Sequence, residues 1–259
     1  MFRKFSNKDR LEAILAAQRN TNARLARIEE RLDAVDEKLE GLARQLTGFE
    51  KRRRRSVKFA ADLAAVNESA QFMNANLIHA EAHSSSVDVL RAAVAAAPEG
   101  LHLEFGVASG RTLRLICESG PRGRVVGFDT FTGLPEDWRT GFRQGKFAQD
   151  SIPHVEGAEL QIGLFAETLE PFLAANSGPI AFMHLDADLY TSTKYVLDTC
   201  TSRLADGAIL LFDEYYNYPG WQEHEHKAFL EWANANQVTW EYLGFAVAGE
   251  QVSVRIKTR

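Results

Sequence analysis

Two aspartates one residue apart, Asp186 and Asp188, close the apolar run Ile180-Ala181-Phe182-Met183 in the segment HLDADLYTST. Carboxylates are costly to bury without a partner. A pair at the end of an apolar strand therefore points to a ligand, a metal ion or a catalytic role. Other acids occupy equivalent places. In EFGVASGRT, Glu104 precedes Gly106 and Gly110, with Thr112 behind them. VVGFD ends in Asp129, ahead of TFTGLP, and GAILLFDE ends in Asp213 and Glu214. Acidic groups thus gather at four separate strand ends, and that convergence weighs more than any single motif.

The elements that must position these groups alternate. Residues 101–107, 124–129, 159–163, 179–186 and 207–214 read as strands. Residues 110–119, 166–176, 191–204 and a stretch within 221–235 read as helices. Continuous apolar strands alternating with helices indicate an α/β fold whose mostly parallel sheet is covered on both faces. Residues 238–244 and 252–258 have no helix between them, which predicts a terminal antiparallel hairpin. Short helices are expected over 57–97 and a long loop over 130–158. Ligands bind beyond the carboxyl ends of such strands, which is where the acids fall.

The glycine loop narrows the ligand. A dinucleotide site uses G-x-G-x-x-G to seat a pyrophosphate on a helix N-terminus. Here the spacing is Gly106-x-x-x-Gly110, and Glu104 stands two residues ahead of it. That acid repels a pyrophosphate and suits a cation. Asp129 is placed to accept hydrogen bonds from a ribose diol. A nucleoside with a positive centre and no phosphate, S-adenosylmethionine, fits both.

The segments EFGVASGRTLRLI, VVGFDTFTGLPEDWR, HLDADLYTSTKYVLD and GAILLFDEYYNYPGWQEHEHKAF resemble the macrocin O-methyltransferase family of class I S-adenosylmethionine-dependent enzymes, over about residues 75–257. The resemblance implies a Rossmann-like, seven-stranded sheet with an antiparallel last strand. It implies methyl transfer to a sugar hydroxyl, helped by a divalent ion, usually Mg²⁺. Strand-end logic and resemblance together assign Glu104, Phe105, Gly106, Gly110 and Thr112 to the methionine end of the cofactor. Asp129 goes to the ribose, Thr130 and Phe131 beside the adenosine, and Gly163, Leu164 and Phe165 to the adenine. Asp186 faces the cofactor amino group or the reaction centre, and Asp188, Asp213 and Glu214 form an oxygen cage for Mg²⁺. His224 leads the general-base candidates, ahead of His226, His184, Tyr215 and Tyr216. Loop 130–158, with Trp138, Phe142, Phe147 and His154, is the expected substrate lid, and Tyr218 and Trp221 are placed to stack on a sugar. Competing readings are a nicotinamide-dependent oxidoreductase, against which Glu104 and the missing third glycine argue, and a catalytically silent scaffold.

The N-terminal part differs in period. Leu11, Ile14, Gln18, Thr21, Leu25, Ile28, Leu32, Val35, Leu39, Leu42, Leu46 and Phe49 alternate by three and four, the a/d register of a coiled coil. Arg24, Arg31 and Lys38 fall at g and Glu29 and Asp36 at e. The expected organisation is a self-associating helix over 1–50, a basic linker over 51–56 and the enzymatic domain over 57–259. The run KRRRR at 51–55 reads as a solvated hinge, or as a contact with anionic lipid or glycan. A net charge of −5 over 259 residues argues against nucleic acid as the main partner. With cysteines only at 117 and 200, a basic but not apolar start MFRKFSNKDR and no long apolar run, a cytoplasmic protein is expected.

Overall fold

The computed structural model describes residues 7–257. MFRKFS, the first six residues of the basic start, and the last two residues lie outside the described residues. The chain divides after Ala60 into two compact units.

The first unit holds helix α1, Asn7–Arg55. Its a/d side chains are exposed, Leu32 at 57% and Leu42 at 60% among them. The run expected as a linker is helical through Arg55 and only Ser56 interrupts it. Arg52 to Arg55 form the last turn, where cations complement the negative end of the helix dipole. Arg54 pairs with Glu50 at 3.0 Å.

After α2, Val57–Asn76, the chain builds one eight-stranded sheet. Its elements run β1 (Glu81–His83), α3 (Ser86–Ala96), β2 (Leu101–Phe105), α4 (Arg111–Glu118), β3 (Val125–Asp129), β4 (Ala158–Ile162), α5 (Phe165–Ala175), β5 (Ile180–Leu185), α6 (Tyr190–Cys200), β6 (Leu204–Phe212), α7 (Glu225–Ala235), β7 (Thr239–Ala246) and β8 (Val252–Lys257). The spatial order is β1-β7-β8-β6-β5-β2-β3-β4. β8 alone runs antiparallel, between β6 and β7. The strand beyond the expected seven is β1, three residues paired in parallel with β7. The segment 57–97 is one long helix, a short strand and α3 rather than a series of short helices.

Every residue of β2 and β5 is buried, as strands covered on both faces must be. The path runs outward from β2 through β3 to β4 on one side, and through β5 to β6 on the other. The order therefore reverses between β2 and β5. A crevice opens at such a switch point. No helix among the described residues is long and apolar enough to cross a membrane. Cys117 and Cys200 are both free.

Candidate active site

The carboxyl ends of β2, β5 and β6 carry their ladders one residue further. Gly106 N–H donates to Phe128 at 2.9 Å, Asp186 N–H to Phe105 at 2.9 Å and Asp213 N–H to Leu185 at 2.9 Å. These bonds fix the first residue after each strand. Gly106 has φ +96°, and a Cβ there would overlap the carbonyl oxygen of Asp186. Only glycine lets the two central strand ends approach so closely.

A cavity of about 590 Å³ opens at this edge, within the range of small-molecule sites. Gly106, Asp129, Thr130, Leu164, Phe165, Asp186, Asp188, Asp213 and Glu214, all expected at the site, line it. Seven other expected residues do not. Glu104, Phe105 and Phe131 are buried in the fold, and Gly110, Thr112, Gly163 and His224 also lie off the lining. The sequence reading missed Ala108, Ala166, Ala187, Thr191, Ser192 and Tyr195, which do line it. Thr191, Ser192 and Tyr195 belong to the first turns of α6, within the segment HLDADLYTSTKYVLD, so proximity in sequence was an available signal.

Glu104 does not reach the ligand space. It is fully buried and meets His184 Nδ1 at 2.9 Å. His184 Nε2 stands 3.5 Å from Asp213, beyond good hydrogen-bond geometry. Burial works against the His184 cation, but Asp213 and Glu104 on either side overcome it and raise its pKa well above the usual value. Burial likewise opposes the Asp213 carboxylate, and His184 still holds its pKa down. Glu104, His184 and Asp213 thus form a chain that runs from the buried Glu104 and His184 out to Asp213 on the cavity wall, and His184 itself does not line the cavity.

The carboxylates in front of that chain behave in the opposite way. Oxygens of Asp186, Asp188 and Glu214 lie within 4.8 Å of one another, whereas Asp213 groups with Asp186 and His184. Of the acids expected to form a cage, Asp188 and Glu214 thus group with Asp186, while Asp213 lies 3.5 Å from His184. Burial, then the charge of Asp213, pushes Asp186 and Glu214 well above the carboxylate range. Burial raises Asp188 to about 7, with Arg139 opposing the shift. Asp188 also has φ +60°, and Leu189 N–H closes on the Ala187 carbonyl at 2.5 Å. A three-residue turn of this kind is rare and strained, and it holds the side chain in the cavity wall.

This donor set suits a hard dication. All three carboxylates are oxygen donors, Glu214 Oε2 is buried without a partner, and a positive charge would favour the ionised form of each acid against the burial that chiefly raises its pKa.

The lid expected over 130–158 is partly at the cavity. Gly133, Leu134, Pro135 and Phe147 line it. Trp138 and Phe142 pack together instead and enclose Arg139, whose guanidinium lies 3.9 Å from the Trp138 ring and 4.3 Å from Tyr218. Arg139 also pairs with Glu250 at 3.4 Å. His224 sits in this cluster, 6.3 Å from the Trp138 ring. Burial, then Arg139, lowers its pKa. Tyr218 and Trp221, expected to stack on a sugar, are buried packing residues. Tyr215 is bonded to Tyr242 at 3.0 Å, Tyr216 to the Ala246 carbonyl, and His154 is exposed away from the cavity lining.

A switch-point cavity bounded by a glycine loop and strand-end acids defines a class I methyltransferase. Residues 103–215 match the family described as a methyltransferase domain. The solved structure of CalS11, a calicheamicin methyltransferase, is 30% identical at a TM-score of 0.53, the match covering 66% of this chain and 77% of that one. The O-methyltransferase NovP shares the fold, at 20% identity and a TM-score of 0.51, over 67% of this chain and 79% of that one. No curated protein is significantly similar in sequence. The chain belongs to the methyltransferase family that includes CalS11, and it is an S-adenosylmethionine-dependent O-methyltransferase.

Proposed function

We propose that this enzyme methylates a sugar hydroxyl, in a glycan or a glycosylated metabolite, with a divalent cation, Mg²⁺ by preference, at Asp186, Asp188 and Glu214. The observation that carries the reading is the convergence of these three carboxylates on the cavity that Gly106 and Asp129 also line. The likeness to CalS11, a calicheamicin methyltransferase, supports it, as do the motifs that resemble those of the macrocin enzymes.

In this reading Asp129, Thr130, Leu164 and Phe165 seat the adenosine. Gly106 and Ala108 leave room for the methionine end, and Thr191 and Ser192 hydroxyls contact the acceptor. When bound, the cation supplies Lewis-acid polarisation of the acceptor oxygen and fixes its orientation. The new O–CH₃ bond forms as the S–CH₃ bond breaks in line, and the sulfonium leaves as a neutral thioether. The chain's main contribution is to hold donor and acceptor at attack distance. The hydroxyl proton goes to a carboxylate oxygen of Asp186, which lines the cavity beside Asp188 and Glu214.

The test is methyl transfer from radiolabelled S-adenosylmethionine to nucleotide-linked and glycan sugars, with Mg²⁺ or with excess chelator. Chelation is expected to abolish turnover but leave S-adenosylhomocysteine binding intact. Asp186→Asn is expected to lower kcat at least a hundredfold and His224→Ala less than threefold. Full activity in chelator removes the metal from the reading, and the reverse order of the two variants returns the base to His224.

A further inference from the structure

We propose that α1 is a homotypic assembly element, which joins copies of this chain in a parallel coiled coil of more than two strands. The face to be covered is plain: Leu25, Ile28, Leu32, Val35 and Leu39 remain between 50% and 57% exposed. An a/d seam this narrow fits another helix of the same period.

Charge selects both occupant and direction. In a parallel pair each g position faces the e position of the following heptad, so Arg24 meets Glu29 of a second copy and Arg31 meets Asp36. An antiparallel pair sets g against g and e against e. Arg24, Arg31 and Lys38 then face one another, as do Glu29 and Asp36. The rod is thus complementary to itself in one direction and repulsive in the other. Among the described residues its internal ion pairs are Glu40–Arg44 and Glu50–Arg54, which leave Arg24, Glu29, Arg31 and Asp36 to a neighbour.

The polar layer agrees. Thr21 donates its hydroxyl to its own helix, at Ala17 O, 3.0 Å away, which leaves its methyl for the seam. Gln18 stands at an a position of the same seam. In a parallel bundle it lies level with Gln18 of every other copy, donor to acceptor. In a fully overlapped antiparallel pair it lies against Leu42.

Side-chain shape sets the number of strands. Leucine fills a at 11, 25, 32, 39 and 46, while β-branched residues fill d at Ile14, Thr21, Ile28 and Val35. Two-stranded coils prefer the reverse, β-branched at a and leucine at d. Leucine at a with isoleucine at d favours higher-order bundles. Because the strands are parallel, their Arg55 ends emerge together.

Sedimentation equilibrium of the full chain tests this. The expected mass is three or four times the 28.9 kDa of one chain. In a Cys117→Ser background, Leu46→Cys is expected to form disulfide-linked pairs with itself. A mixture of Ile14→Cys and Leu46→Cys chains is not expected to cross-link 14 to 46. Arg24→Glu with Arg31→Glu should raise the dissociation constant at least tenfold, and mixing with Glu29→Arg/Asp36→Arg chains should restore assembly. Exchanging Leu25→Ile, Ile28→Leu, Leu32→Ile and Val35→Leu should leave helix content unchanged and reduce the assembly to two chains. A monomer or a dimer, 14-to-46 cross-links, or a mass indifferent to charge reversal overturns the proposal. These readouts involve no turnover, so they stand apart from the test of the reaction.

Discussion

The carboxylate of Asp129, at the end of β3, accepts the backbone N–H of Ala108 at 2.7 Å. The same oxygen accepts Val107 N–H at 2.8 Å, and the other accepts Phe131 N–H at 2.7 Å. One side chain therefore ties the glycine loop after β2 to the loop after β3. Ala108 and Phe131 both have positive φ, +45° and +58°, conformations that need such support. The residue expected to bind the ribose is first the clamp that shapes this side of the cavity, with lone-pair capacity left for a further donor.

Asp129→Asn keeps the shape of this clamp and removes its charge. Hydrogen bonds to a charged acceptor are worth about 1.5–3 kcal/mol each, so the variant is expected to lose about 2 kcal/mol or more of stability. S-adenosylhomocysteine affinity should fall at least tenfold, measured by isothermal titration alongside a thermal melt. Unchanged affinity would remove Asp129 from the pocket's architecture.

Asp188 gives a pH-dependent signature. Its carboxyl is raised from 3.8 to about 7 in the folded chain, chiefly by burial. Between those values the folded state binds more protons than the unfolded state, so stability falls as pH rises through the window. In chelator, Asp188→Asn should therefore match the parent near pH 4 and exceed it near pH 7.5, by about 2 kcal/mol or more. Asparagine also tolerates the φ of +60° at this position. Urea denaturation at the two pH values reads the difference, and excess Mg²⁺ should reverse the order at pH 7.5.

His226 predicts the opposite slope. Its ring packs 4.7 Å from Trp221, 5.0 Å from Tyr215 and 5.3 Å from Phe72. Burial there lowers its pKa from 6.5 to about 4. The unfolded chain takes up this proton first, so the histidine's effect is absent above pH 6.5 and costs stability as pH falls toward 4. His226→Phe should remove that loss, which approaches about 1.4 kcal/mol per pH unit at its steepest. Urea midpoints of parent and variant at pH 7 and pH 5 check it, and parallel midpoints would sink it.

Much of this was legible along the chain because it depends on local pattern. The apolar runs of β2, β5 and β6 each end in the residue that the ladder delivers to the cavity edge, and a turn follows at once. β1 was not legible, since Glu81-Ala82-His83 has no apolar alternation and is a strand only through its pairing with β7. Nor was the path of the basic run: five charges read as a break, yet helix geometry continues through them to Arg55.

At the site the division falls between residue type and residue direction. Sequence alone determined that four strand ends carry acids, that Gly106 opens the loop and that α1 has a seam, because strand and helix periods are properties of neighbours in the chain. Only tertiary structure decided which acids meet. Glu104 lies two residues before Gly106, yet the alternation of β2 turns it inward to His184, while Asp186, Asp188 and Glu214, from two strands, converge on the cavity. Direction across a sheet is set by register between strands, as between Phe105 and Leu185, and register is long-range information that no short motif holds.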